Sequence, residues 1–282
     1  MSDAAASSGT YVYNQDWREE RRRLDGMEAL WDPGTKRAIA DLAIAPGWRC
    51  LEVGAGGGSI ACWLAEQVGP SGEVLASDLS TRYLVELDTA ALPALEIREH
   101  DILIDPLPPD YFDLVHARLV VEHLGLPALA RMASVLRPGG WIVIEDYSFC
   151  SSGVQPPSPL MDKVTAAILG FMARSGFDPE FGPRIVHELE SLGLVETGAD
   201  ARARIYRGGS PGTAFGKLSL ESLRQVLVAE GLLSDAEIDQ GLTGIDDPSS
   251  LFTSPLMIAG WGRRPLGGYA GAAPADQLAA GA

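Results

Sequence analysis

The residues best equipped for chemistry gather at the end of a short apolar run. Leu51-Glu52-Val53 leads directly into Gly54, Gly56, Gly57 and Gly58, and Ser59 then opens a helical stretch. Glycines let a backbone turn sharply and let a ligand lie against main-chain N–H groups at a helix N-terminus, where negative charge is favoured. The spacing is acid-x-Gly-x-Gly-x-Gly. Counted from Gly54, Ser59 stands where the dinucleotide fingerprint wants its last glycine or alanine. Asp78 ends a second apolar run 20 residues beyond Gly58, the place from which a carboxylate accepts hydrogen bonds from ribose hydroxyls. Asp101 follows a third run in His100-Asp101-Ile102, where it is placed to accept from an exocyclic adenine amine while Ile102 packs the ring.

Such residues must be brought together by a sheet. Short β-branched or apolar runs, at 49–53, 73–77, 95–99, 112–117 and 141–146, alternate with helical stretches at 59–68, 82–91, 119–124 and 127–136. That alternation predicts a parallel sheet covered on both faces, a doubly wound α/β fold. Upstream, 15–30 reads as a charged amphipathic helix, which Asp32-Pro33-Gly34 breaks before a second helix at 35–42. The run Arg18, Arg21, Arg22 and Arg23 is interrupted by Glu19 and Glu20, as on a salt-bridged helix face. Downstream, helices are expected at 160–173, 182–192, 219–229 and 234–242, with strands at 195–205 and 252–261. Insertions between late strands of such sheets lie over the strands' carboxyl ends, so these helices read as a cap on the ligand site.

Three further segments complete the pattern: Phe112-Asp113-Leu114-Val115-His116-Ala117-Arg118, then Val121-Glu122-His123-Leu124, then the turn Leu136-Arg137-Pro138-Gly139-Gly140. In this order the segments resemble the class I S-adenosylmethionine-dependent methyltransferases, in particular the small-molecule branch of the methyltransferase domain 11 and 25 type. The resemblance is good over 15–147 and general beyond it. It implies a Rossmann-like doubly wound seven-stranded sheet, mostly parallel with an antiparallel last strand, and S-adenosyl-L-methionine as cofactor. It also implies that Glu52 and the backbone of Gly54, Gly56 and Gly58 hold the methionine moiety, that Asp78 and Leu79 bind the ribose, and that Asp101 and Ile102 bind adenine. Ala117 and Arg118 then lie beside the methionine amino group, and Tyr13 and Gln15 belong to an N-terminal lid. The chain is read as a methyltransferase acting on a small-molecule acceptor by in-line displacement. A scaffold that binds the cofactor but runs a cyclisation, decarboxylation or rearrangement, or that only senses it, has the same sequence signature.

Methyl transfer needs alignment more than a catalytic group. If the acceptor is a hydroxyl, a general base is useful, and His123, Asp146 and Tyr147 are the candidates after strands 4 and 5. Phe171, Met172, Phe177 and Phe181 are candidates for an apolar acceptor pocket. With Lys and Arg totalling 22 against 38 Asp and Glu, the net charge is −16, a field that repels phosphate backbones and anionic membranes. Neither nucleic acid nor a membrane is expected as partner, whereas a homodimer is compatible. Cys50, Cys62 and Cys150 share no metal-like spacing, so no metal is expected, and the sparse count fits a reducing cytoplasm. The expected organisation is a disordered 1–10, a helical lid over 11–46, the α/β domain over 47–264 with cap insertions at about 151–193 and 206–246, and a disordered tail at 265–282.

Overall fold

β1 (Arg49–Val53) is buried on both faces, and that decides the architecture: Cys50 and Glu52 point to one side, Leu51 and Val53 to the other. A strand of this kind belongs in the middle of a sheet covered on both sides. In this computed structural model, which describes residues 17–267, β1 pairs in parallel with β2 (Glu73–Asp78) and β4 (Phe112–Arg118). β3 (Leu95–Glu99) extends the sheet past β2, and β5 (Leu136–Ser148) lies past β4. Two later strands, β7 (Val195–Arg202) and β10 (Leu256–Arg263), complete seven in the order β3-β2-β1-β4-β5-β10-β7. β10 is antiparallel to both neighbours, as expected of the last strand.

Alternation along the strands splits the core in two. Cys50, Leu114 and Val143 face α1 (Glu20–Ala40) and α2 (Ser59–Val68), packing on Ile39 and Leu64. Leu51, Val115 and Ile144 face α3 (Val121–Ser134) and α5 (Ile185–Ser191), packing on Leu129 and Ile185. The cap has a core of its own. α4 (Pro159–Ala173), α6 (Ala214–Ala229) and α7 (Asp235–Asp246) bury Val164, Leu220, Leu227 and Ile238 together. Beside them β6 (Gly153–Gln155), β8 (Ile205–Arg207) and β9 (Leu251–Thr253) form a three-stranded antiparallel sheet in the order β6-β9-β8, which the sequence did not announce.

Several expectations are corrected. The break at Asp32-Pro33-Gly34 does not occur, and α1 runs through it. Pro33 removes one helical N–H, but burial of Trp31, Thr35 and Ile39 along the same face holds the helix together. Gly34, which looked like a breaker, instead leaves the space that the Arg202 side chain fills. The helix expected at 82–91 is two 3₁₀ turns, Leu84–Glu86 and Thr89–Ala91, because Leu87 turns extended and packs with Leu84 over Gly58. The strand expected at 195–205 splits into β7 and β8, and that at 252–261 splits at Ser254-Pro255 into β9 and β10. Leu136–Gly140 is a bulge inside β5, with residues 137–140 set against Asp113 alone. Gly140 is required there, since a Cβ would lie 2.8 Å from the Phe112 carbonyl. α5 belongs to the sheet's outer layer and not to the cap, with Ile185 and Leu189 in the main core. The stretches 119–124 and 127–136 join as α3 across a kink at Gly125, where φ is +69°.

Candidate active site

A cavity of about 610 Å³ opens where the carboxyl ends of the parallel strands meet the cap. At one end lies the glycine turn. Gly54 and Gly56 line the cavity with φ of +69° and +56°, values that L side chains avoid. Asp78 fixes the turn: Gly56 N–H donates to Asp78 Oδ2 at 2.8 Å and Ser80 N–H to Oδ1 at 3.1 Å. Burial pushes the Asp78 carboxyl above its ordinary range while these N–H groups pull it back. Leu79, His100, Asp101 and Ile102 continue the same wall. Asp101 Oδ1 accepts from Leu103 N–H at 2.8 Å, so this side chain also shapes its own turn. Both ring nitrogens of His100 are buried with no hydrogen-bond partner among the described residues, a donor and an acceptor left for a polar ligand.

Over the turn lies α1. Arg21 Nη1 donates to Gly57 O at 3.1 Å, and the Glu28 carboxylate presses on Gly57, burial raising its pKa to about 7. The basic run is therefore only partly a solvent face. Arg21 and Arg22 pair with Asp25 and Glu19, but Arg23 turns inward to grip Glu20 in a bidentate pair, both bonds 2.7 Å, on the cavity wall. Arg118 reaches the wall from the end of β4, held by Asp32 at 3.0 Å and Thr35 at 2.9 Å.

Glu52, Gly58 and Ala117 lie behind this wall. Ala117 faces the α3 core by strand alternation, and Gly58 caps α2 beneath Leu84 and Leu87. Glu52 gives its carboxylate to His116 Nδ1 at 2.6 Å, and the opposite ring nitrogen stands 3.6 Å from Glu145. Glu145 is bound in turn by Arg202 at 2.6 Å and by the Thr35 hydroxyl. Burial works against the imidazolium, but Glu52 and Glu145 overrule it and raise His116 to about 9. Burial likewise opposes the Glu145 carboxylate, yet His116, Arg202 and Arg118 hold it at about 2.

On the opposite face of β5 the situation differs. Asp146 is fully buried off the cavity, its Oδ2 accepting the N–H of Glu122 at 3.2 Å. Glu122, which the sequence reading quoted without assigning it a role, reaches the wall and accepts Tyr147 N–H at 3.0 Å. Tyr147 and His123 also line the cavity. Tyr147 OH accepts from Trp31 Nε1 at 2.7 Å, and burial carries its own ionisation well above the usual range. The His123 ring lies 5.0 Å from that of Phe177, tilted by 44°, and burial, with Arg23 nearby, lowers it to about 4. A histidine neutral at every ordinary pH is a weak proton carrier.

At the far end the wall is apolar. Met172, Phe177, Phe149, Phe215 and Phe252 come from four separate stretches of chain. Phe181 is instead in the sheet core and Phe171 in the cap core. Tyr13 and Gln15 lie outside the described residues.

A family model for a methyltransferase domain, Methyltransf_11, matches residues 51–144, from the strand before the glycine turn to the middle of β5. The methyltransferase str3 of Strobilurus tenacellus is 30% identical over 197 residues, covering 68% of this chain and 68% of its own. The chain belongs to the class I S-adenosylmethionine-dependent methyltransferases. Its cofactor is therefore S-adenosylmethionine, and the glycine turn, Asp78 and the unpartnered His100 offer the cradle and polar groups such a nucleoside needs. The ubiquinone/menaquinone biosynthesis C-methyltransferase UbiE of Ralstonia nicotianae is 32% identical to this methyltransferase over 130 residues, 44% of this chain and 51% of that relative. The fold also matches phosphoethanolamine N-methyltransferase 2 of Haemonchus contortus, solved with phosphomonomethylethanolamine and S-adenosylhomocysteine. The TM-score is 0.51 at 15% identity, over 90% of this chain and 54% of that one.

Of the residues missed in the sequence, Glu20 and Arg23 had a signal in their i,i+3 spacing. Glu122 had one in its place beside His123.

Proposed function

We propose that this methyltransferase transfers the methyl group of S-adenosylmethionine to a small, largely apolar acceptor seated beneath the cap, by in-line displacement. What supports the reading is the continuity of the cavity: Gly54, Gly56 and Asp78 at one end and Met172, Phe177, Phe215 and Phe252 at the other line the same space. In this reading the glycine turn and Arg118 hold the methionine moiety, Asp78 the ribose, and Asp101, Ile102 and His100 the adenine. The cofactor supplies a methyl carbon already activated by its sulfonium. The chain's own share is alignment and exclusion of water, which the α1 roof and the aromatic wall provide. A relative named for ubiquinone/menaquinone biosynthesis is in keeping with an apolar acceptor.

The test is incubation with methyl-labelled S-adenosylmethionine and a panel of apolar phenols and enols alongside small polar amines. Label is expected in members of the first group. Label confined to the polar amines would overturn the apolar-acceptor reading.

A further inference from the structure

Glu122 and Asp146 are two buried carboxyl groups with no lysine or arginine in ion-pair range among the described residues. Glu122 Oε2 accepts the Tyr147 N–H, and Glu122 Oε1 lies 3.8 Å from His123 Nε2. Asp146 Oδ1 has no hydrogen-bond partner among the described residues. Every element around the pair leaves it short of positive charge. β5 brings Asp146 and Tyr147, and α3 brings His123. The loop after α4 brings Asp178, whose N–H donates to Glu122 O at 2.7 Å and whose carboxylate adds repulsion although Arg184 pairs with it at 2.5 Å on its outer side. α1 brings Arg23, which acts on His123 but is clamped by Glu20. Burial first, and then Asp178, raise Glu122 to about 8; burial and Glu122 raise Asp146 well above the carboxylate range. Unneutralised acids cost stability when buried, and such groups on a cavity wall are characteristic of reacting centres.

We propose that Glu122 takes the proton shed by a phenol or enol hydroxyl as that oxygen is methylated, and that the positive charge of the bound methyl donor ionises Glu122 beforehand. The proposal rests on the reading of this cavity as the methyl-transfer site. A sulfonium is a permanent cation, and a cation near a buried carboxyl favours its charged form. The acceptor O–H proton passes to the Glu122 carboxylate while the oxygen forms its bond to the methyl carbon. The carbon–sulfur bond breaks with its electron pair left on sulfur, so one positive and one negative charge vanish together. The proton leaves to solvent when product departs. A phenol, with its ordinary pKa of about 10, is within reach of a base of this strength. Asp146 does not reach the cavity wall; its Oδ2 accepts the Glu122 N–H, so it is a positioning residue for Glu122.

Calorimetric titration at pH 7, in buffers of different ionisation enthalpy, tests this with S-adenosylmethionine and S-adenosylhomocysteine as the two ligands. Both carry the same adenosine and amino-acid groups, so their difference isolates the sulfonium. Wild type is expected to release up to about one proton more with the first ligand than with the second. Glu122→Gln should abolish that difference while both ligands still bind. Asp146→Asn should keep it with its maximum at the same pH, because Asp146 is itself held neutral and an asparagine oxygen still accepts the Glu122 N–H. Equal release with the two ligands, a difference that survives Glu122→Gln, or a difference lost in Asp146→Asn would each overturn the proposal. On a phenol methylated in the labelled panel, Glu122→Gln should lower kcat by about 100-fold; an unchanged kcat would also overturn it. If neither ligand bound to wild type, the reading of the cavity itself would fall first.

Discussion

Glu145 and Asp146 are adjacent on one strand, are equally buried, and are driven in opposite directions. Alternation along β5 sends Glu145 to the α1 face, where His116, Arg202 and Thr35 bind it, and Asp146 to the α3 face, where it meets Glu122. The first environment is balanced. Glu52, Glu145 and Asp32 face His116, Arg118 and Arg202, three negative groups against three positive ones when His116 is protonated. The second collects acids without a counter-ion. Burial alone thus does not set the ionisation of a carboxyl; the partners on its own face of the sheet do. The balanced cluster stands behind the wall and ties α1 to the sheet, whereas the unbalanced pair reaches the cavity through Glu122.

The largest effect is expected from breaking the balance. His116→Phe leaves Glu52 and Glu145 buried on either side of an apolar ring and should cost about 3–5 kcal/mol, read from denaturant midpoints. The sign with pH follows from the shifts. His116 rises from 6.5 to about 9, so its contribution is full below pH 6.5 and is lost as pH rises through about 9. Glu145 falls from 4.5 to about 2, so its contribution is present above pH 4.5 and is lost as pH falls through about 2. A variant that kept the alkaline limb of wild type would show that His116 is not the cation of the cluster.

Asp78 lines the cavity at the glycine turn, and there the comparison extends to binding. Asp78→Ala removes the anchor of Gly56 and the proposed ribose acceptor, so affinity for S-adenosylhomocysteine should fall on the order of 10–100-fold. Unchanged affinity would remove Asp78 from the cofactor site.

On the unbalanced side Glu122 should respond with the sign opposite to that of Glu145. Glu122 rises from 4.5 to about 8, so wild type carries a contribution that is full below pH 4.5 and lost as pH rises through about 8. Glu122→Gln should flatten that slope, and the variant should gain on wild type from pH 5 to pH 9 in paired unfolding curves. An unchanged slope would mean that Glu122 is already neutralised. The smallest effect belongs to Tyr147→Phe, which takes the acceptor from Trp31 Nε1 for about 1 kcal/mol.

The glycine-turn end of the cavity was legible because its physics is local. The glycine turn, α2 and the bounds of β1 and β3 follow from residue type and spacing within a few positions. What escaped depends on distant contacts. Pro33 reads as a stop, and only the burial of Trp31, Thr35 and Ile39 against the sheet keeps α1 whole. His123 stands out in Val121-Glu122-His123-Leu124 because free imidazole titrates near neutrality. Burial exchanges the two roles, lowering His123 to about 4 and raising Glu122 to about 8. Glu52 reads as a ligand-facing acid, and its partner His116 lies 64 positions away on the next strand. The acceptor end was the least legible, since its aromatic side chains come from segments that meet only when the cap closes on the sheet.

That division of the cavity has a consequence for descent. The matched stretch 51–144 contains Gly54, Gly56, Asp78, Arg118 and Glu122, while Glu20, Arg23, Met172, Phe215 and Phe252 lie outside it. The cap also packs around its own core, so its lining can be redrawn without disturbing the sheet. A lineage built on this plan is free to vary the apolar end of the cavity while keeping the glycine turn intact. Under the proposal above Glu122, which sits in the matched stretch, favours acceptors with a proton to give up.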